Sequence, residues 1–393
     1  MNIKEEVNEV REEVIRLRRH FHENPELGYE EYDTARFIKQ YLEQLGLECC
    51  TVAKTGVCAV IYGDKPEGKT VLLRADMDAL AVKEQTGLPF SSKNSGVMHA
   101  CGHDSHIAIL LTTAKLLVKH RHQLQGNVKL MFQPNEEEAG ALDMIMEGIL
   151  ENPKVDSAFA LHLWSPIASG RVGLSSGPVL GTTEEFELIL HGKAGHTAMA
   201  HEACDTLLGA CELVSEMQLL ISREFNPLWP IAVVFGRIHG GTARNVVTDT
   251  VTLSGTIRFL FPDEKTNKPI VLKAFERIIQ GVCDTHKLTY EVEYIPSNPS
   301  LVNDPELVEL VKENVKEVYG VGDIIEEFRS LAGEDFAEVS QRVPSVMTFL
   351  GVYNEEKGTI YPHHHAKFDI DEDVLTLGVE LQMRNVFSYL KGE

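Results

Sequence analysis

Long apolar runs are missing from this chain: no stretch approaches the ~20 residues that a bilayer-spanning helix needs, so no membrane partner is expected. The opening segment, MNIKEEVNEVREEVIRLRRHF, is charged throughout and lacks the apolar core and small-residue cleavage site of a secretory signal, which makes a cytoplasmic location the expectation. Cations are in deficit, 37 Lys and Arg against 59 Asp and Glu. The resulting formal charge of -22 repels phosphate backbones and anionic lipid, so nucleic acid is not an expected ligand. Cysteine is scarce too. Seven residues, an odd number scattered from Cys49 to Cys283, form no spaced disulfide framework and suit a reducing compartment. Most of them read as small buried hydrophobes. Tandem repeats, low-complexity tracts and Gly/Ser linkers are also absent, which excludes solenoid and fibrous architectures.

What is present is an ordinary globular composition, 43% apolar over 393 residues, a length at which two domains are expected rather than one. Val7, Val10, Val14 and Leu17 mark one amphipathic helix, and Ala35, Ile38, Leu42 and Leu45 another that ends at Gly46. VCAVIYG, TVLLRAD, NVKLMFQ and AFALHLW are short apolar runs of the kind that form buried strands, and Ile107, Leu110, Leu111, Ala114 and Leu117 place a crossover helix between the second and third. This alternation predicts an α/β domain with a mostly parallel sheet. From about Thr182 the pattern becomes strand, helix, two strands, helix, strand, as in a small α+β domain. The α/β pattern resumes with Asp304 as N-cap and Pro305 at the first helical position. The expected organisation is therefore a catalytic domain in two parts, 1–181 and 297–393, interrupted by an inserted domain, 182–296.

Groups able to bind metal stand at the ends of the expected strands: Asp76 and Asp78 after TVLLRA, Glu136 to Glu138 after VKLMFQPN, and His162 inside AFALHLW. In open parallel sheets, ligands bind beyond the carboxyl ends of strands, so residues far apart in sequence can converge there. HACGHDSH places His99, Cys101, His103, Asp104 and His106 just before the crossover helix, and thiolate with imidazole suits borderline divalent ions. Taken alone, that cluster reads equally well as a helix cap with a packed cysteine and a surface histidine. Three carboxylates directly after a buried strand are costly unless they meet cations or water, and adjacent glutamates can divide the work of ligand and general base. A late run, His363, His364 and His365, supplies further imidazoles.

RADMDAL, HACGHD, FQPNEEE, LHLW and HHAKFD, in this order, together with the early HENPELGYEE, resemble the M20 metallopeptidases, and more closely their amidohydrolase branch of N-acyl-amino acid, hippurate and auxin-conjugate hydrolases. The resemblance covers essentially the whole chain. It implies a zinc-peptidase-like α/β domain with an inserted lid or dimerisation domain. It also implies two divalent ions, zinc or manganese, held by Cys101, His103, Glu137, His162 and His364, with Asp76 and Asp78 orienting those ligands. Glu136 matches the general base. In the lid, His196 matches a histidine that contacts the reacting carbonyl, in its own or a neighbouring subunit, while Asn245 and Arg258 match positions that recognise the substrate's carboxylate or oxyanion. Ala194 and Ala200 replace the Gly and Pro of the family pattern around His196. Glu334 in LAGEDF matches a motif of supporting role. The implied activity is hydrolysis of an N-acyl-L-amino acid by a homodimer, with a dipeptidase or carboxypeptidase on the same metal site as the alternative, and a silent binding protein as a third reading.

Overall fold

A computed structural model of the chain describes residues 2–226, 228–261, 263–320 and 323–391. The chain divides into two compact units, one containing the residues up to Gly177, Val302–Phe328 and those from Asp335 onward, the other Pro178–Leu301 and Arg329–Glu334.

The larger unit is built on an eight-stranded sheet with a parallel centre. Its spatial order is Cys49–Val52, Gly56–Tyr62, Asn127–Gln133, Thr70–Asp76, Ser157–Ala168, Ser345–Tyr353, Val172–Gly173 and Ile324–Ile325. The four strands from Asn127–Gln133 to Ser345–Tyr353 run parallel, whereas the Cys49–Tyr62 hairpin joins them antiparallel at one edge. Every residue of Thr70–Asp76 and Asn127–Gln133 is buried, which requires cover on both faces and explains why these segments are apolar without alternation. Helices Arg11–Glu23, His103–Lys119 and Val374–Leu390 share the core with this sheet through Leu17, Phe21, Leu110, Leu130, Leu350 and Val379. The helix His103–Lys119 is buried on nearly all sides, so it is apolar around its whole circumference. It starts from Gly102, whose φ of 91° a residue with a Cβ would rarely adopt. Asp304 accepts from the N–H groups of Glu306 and Leu307 and begins the helix Pro305–Val318.

The smaller unit is α+β. Four antiparallel strands lie in the order Ile231–Gly240, Thr250–Phe259, Thr182–His191 and Thr289–Pro296. Phe186, Leu188 and Leu190, at alternate positions, enter a separate core with Leu213, Val251 and Phe275 from the other strands and from helices Thr206–Glu216 and Glu264–His286. Arg329–Glu334 joins this unit through Ser330 N–H to the Val179 carbonyl at 3.0 Å and Gly181 N–H to the Ala332 carbonyl at 3.1 Å. No sequence signal marks that return, because backbone hydrogen bonds between distant segments leave no periodicity. No helix among the described residues is long and apolar enough to cross a membrane.

Candidate active site

The parallel centre of the larger unit sets the candidate residues level with one another. Asp76 pairs with Gln133, Arg74 pairs with Ala160 two residues before His162, and His162 pairs with Phe349, so the carboxyl ends of four strands open on one place. Beyond Gln133 the chain turns sharply at Asn135, which has φ 54°, into a short helical turn of Glu136, Glu137 and Glu138. The buried Glu31 holds this turn: its carboxylate accepts the Asn135 N–H at 2.9 Å and the Thr55 hydroxyl at 2.6 Å. A Cβ on Gly28 would meet the Asn135 side chain at 2.0 Å. The HENPELGYEE motif is thus a brace behind Glu136, a role that its local pattern does not disclose.

The five expected ligands fall in overlapping sets in front of that brace. One donor atom each from Cys101, Glu137 and His364 lies within 4.8 Å of the others, and the same holds for His103, Glu136 and Glu137, and for Asp76, His103, His106 and His162. The Cys101 sulfur stands 3.7 Å from His162 Nε2, and His364 Nε2 stands 3.3 Å from a Glu137 oxygen. Backbone carbonyls fix the rings of two of these histidines. His103 Nδ1 donates to the Asp78 carbonyl at 2.9 Å and His162 Nδ1 to the Leu163 carbonyl at 2.6 Å, which turns both Nε2 atoms inward. His103 Nε2 is buried with no hydrogen-bond partner.

Their neighbours are occupied elsewhere. His106 Nε2 accepts the Leu163 N–H at 2.9 Å, so its Nδ1 carries the proton and donates to Asp76 at 2.6 Å, leaving no lone pair for a cation. Far from lying on the helix surface, His106 is 1% exposed. His363 donates from Nε2 to the Leu163 carbonyl and accepts from the Ser165 hydroxyl, both at 2.9 Å, and His365 stacks on Tyr361. Of the three late histidines, only His364 faces the cluster. Its N–H donates to the Ala100 carbonyl at 2.8 Å, which ties the late run to the HACGHD loop.

Charges around the cluster bear on whether a cation fits. Burial, followed by the carboxylates of Glu137 and Glu136, pushes the Cys101 thiol well above its ordinary range. Burial alone would lower His103, but Asp76, Asp78 and Glu137 outweigh it and raise the group to about 10. His364 is raised by its contact with Glu137, whereas burial holds His162 well below the usual histidine range. Without a cation the cluster keeps protons in place of positive charge. A thiol, imidazoles and carboxylates with an unpartnered inward Nε2 form a donor set that divalent ions of the zinc type fit.

Beneath the cluster, sequence reasoning singled out Asp76 and Asp78 but not the residues that hold them, nor the network around Arg18. Arg74, fully buried, donates to Gln133 at 2.9 Å, Asp76 at 2.6 Å and Asp335 at 3.1 Å. Asp76 is thereby held between Arg74 and His106. Asp78 supplies the carbonyl that orients His103, and its carboxylate accepts the Glu137 N–H at 3.1 Å. Asp104 stands in the first turn of the helix, after the Gly102 N-cap, and one of its oxygens accepts the Ser105 N–H at 2.7 Å. Its other oxygen receives Arg18 Nε at 3.0 Å and lies 2.7 Å from His22 Nδ1, while Arg18 also reaches Asp369 and Glu372. The only sequence signal for this network is a pair of polar residues on the buried stripe of an amphipathic helix.

The remaining candidates belong to the smaller unit. His196 is exposed on a two-residue strand paired with Val246 and Val247, and its Nδ1 accepts the Ala198 N–H at 3.1 Å. Asn245 adjoins it through the Thr197 N–H to its carbonyl at 3.3 Å. Both stand near the Thr250 end of Thr250–Phe259, since Gly192 N–H bonds the Asp249 carbonyl. Arg258 stands at the far end, eight residues along, a span of about 26 Å at the rise of a strand. There it donates to the Leu331 carbonyl at 3.1 Å. Glu334 is buried.

The profile of peptidase family M20/M25/M40 matches residues 72–386, a range that includes all five clustered donors. The chain belongs to that family. It is accordingly a hydrolase. Among curated relatives it is 39% identical to thermostable carboxypeptidase 1 of Saccharolobus solfataricus over 382 residues, 96% of this chain and 95% of that one. It is 37% identical to the N-acetyl-L-cysteine deacetylase of Bacillus subtilis, over 95% of this chain and 89% of the relative. The crystal structure of the Bacillus subtilis YXEP protein, described as a dinuclear metal binding peptidase from the M20 family, superposes with a TM-score of 0.84 at 30% identity, over 98% of this chain and 100% of that one.

Proposed function

We propose that this M20 hydrolase cleaves the amide bond of N-acyl-L-amino acids with two divalent ions, zinc or manganese, giving a carboxylate and a free amino acid. The observation that carries this reading is the meeting of Cys101, His103, Glu137, His162 and His364 beside Glu136. Glu137 and His364 would serve one ion, His103 and His162 the other, and Cys101 lies within reach of both sets. Such ions supply Lewis acidity toward the scissile carbonyl and acidify the attacking water. Glu136, braced by Glu31 through Asn135, takes the water's proton and passes it to the departing amine. Asp76 and Asp78 orient the ligands. From the smaller unit, Arg258 fits the substrate carboxylate because a guanidinium binds it in bidentate fashion, and His196 with Asn245 fits the oxyanion.

The two groups stand at opposite ends of one strand, so a single smaller unit does not bring both to one substrate. This supports a homodimer in which His196 and Asn245 act in the neighbouring subunit. The edge strand Ile231–Gly240, with Val234 and Ile238 exposed, is the surface suited to pairing. Mixing Glu136→Ala with His196→Ala protein should restore turnover that neither has alone; mixtures as inactive as their components would refute the shared site.

Likeness to a deacetylase supports the acyl-amino acid reading, and likeness to a carboxypeptidase supports peptides as the second. Hippurate, N-acetyl amino acids and dipeptides assayed side by side on metal-reconstituted protein decide between them, and turnover of dipeptides alone overturns the first.

A further inference from the structure

Three of the seven cysteines, all free, gather on the edge hairpin Cys49–Tyr62. Cys50 pairs directly with Cys58 across the two strands. Directly opposed residues of an antiparallel pair present their side chains on one face, with Cα atoms about 4.5–5.5 Å apart, inside the window of about 4.4–6.8 Å that a disulfide bridges. The Cys50 sulfur already leans over its partner, 3.6 Å from the Cys58 carbonyl oxygen. Cys49, one residue earlier, alternates to the other face, where its sulfur approaches the carbonyls of Lys39 and Leu47. Cys50 is exposed and Cys58 is 6% exposed, so one thiol meets solvent and the other stands behind it. Both open on a cleft of about 550 Å³, which Val60, Tyr62 and Arg121 also line. The cleft admits a small molecule, and its lining carries one cation, Arg121, and one carboxylate, Glu48, which suit a ligand bearing both a carboxylate and an ammonium group.

We propose that Cys50 and Cys58 form a reversible thiol–disulfide site whose co-reactant is a low-molecular-weight disulfide bearing carboxylate and ammonium groups. The Cys50 thiolate attacks one sulfur of the co-reactant, forming a mixed disulfide and expelling one thiolate. Cys58 then loses its proton to solvent and attacks the Cys50 sulfur, which forms the Cys50–Cys58 bond and expels the second thiolate. Two electrons pass from the cysteine pair to the co-reactant, which leaves as two thiols. Burial pushes the Cys58 thiol up to about 12, so the second step is the slow one. In a reducing compartment such a bond is transient, which suits a reversible site rather than a structural staple.

The test incubates metal-loaded protein with graded ratios of oxidised to reduced glutathione, followed by peptide mapping without reduction. A Cys50–Cys58 linked peptide is expected at about a tenfold excess over any other cysteine linkage, reversed by excess reduced glutathione. Cys58→Ala should stop the reaction at a glutathione adduct on Cys50, and Cys50→Ser should leave Cys58 unmodified. Since alanine keeps the buried position apolar and Cys50 is at the surface, both variants retain the fold. A wild-type protein that stops at the adduct, links Cys49 to Cys50, or stays reduced across the series overturns the proposal.

Discussion

The two units hold their functional side chains in opposite ways. In the larger unit each candidate donor is fixed by a second contact: His103 by the Asp78 carbonyl, His162 by that of Leu163, the Glu136 turn by Glu31, and the HACGHD loop by the Arg18–Asp104–His22 network. In the smaller unit His196 lies on a two-residue strand and Asn245 just ahead of its partner strand; both are exposed, and the His196 ring is met by the Ala198 N–H of its own turn. A metal centre needs its donors in place before the ion arrives, since a loose set loses affinity to ordering. On the proposed reading, His196 and Asn245 would gain their order only when a second subunit binds.

The sharpest way to break the comparison is at Glu136. Glu136→Ala should retain its metal, checked by elemental analysis, and lose about two to four orders of magnitude in kcat. Next comes the buried network. Asp104→Ala removes the buried acceptor of Arg18 and His22, while Asp369 and Glu372 still pair with Arg18, and should cost about 1–3 kcal/mol in chemical denaturation, whereas His196→Ala should leave stability unchanged within about 0.5 kcal/mol. Equal effects of the two would erase the contrast. Glu31→Ala should lower kcat by about tenfold with metal content intact, because the Asn135 N–H loses its acceptor, and Glu31→Gln, which can still accept that bond, should recover most of the rate.

The smallest effect is a pH dependence of the metal-free protein. His103 is raised from 6.5 to about 10 on folding, so its protonated form contributes stability that is complete below about 6.5 and is lost as pH climbs through about 10. Chelator-treated protein should therefore melt at lower temperature at pH 9.5 than at pH 7 by more than metal-loaded protein does, since the ion takes the proton's place.

Much of this was legible in the chain. The apolar runs at 57–63, 70–76, 127–133 and 158–164 and the stripe from Ile107 to Val118 are local patterns, and the strands and crossover helix lie where those patterns place them. Glu136, Glu137 and His162 stood out at the ends of expected strands and Cys101 and His103 in a ligand-rich segment before an apolar helix, while their selection as ligands came from the family resemblance. The brace and the buried network were not legible. Glu31 and Asn135 are 104 positions apart, Arg18 and Asp104 are 86, and nothing local distinguishes them from solvated surface residues.

The sequence by itself determined the family, the α/β order of the elements and the chemistry of the donors, because each is written in residue types at short spacing. Only the tertiary structure decided that His363 and His365 are engaged elsewhere, that His106 is occupied and that Asp104 joins a buried network with Arg18 and His22. Those outcomes depend on which lone pairs and protons remain once distant segments have claimed the others, and that accounting exists only after the chain has folded.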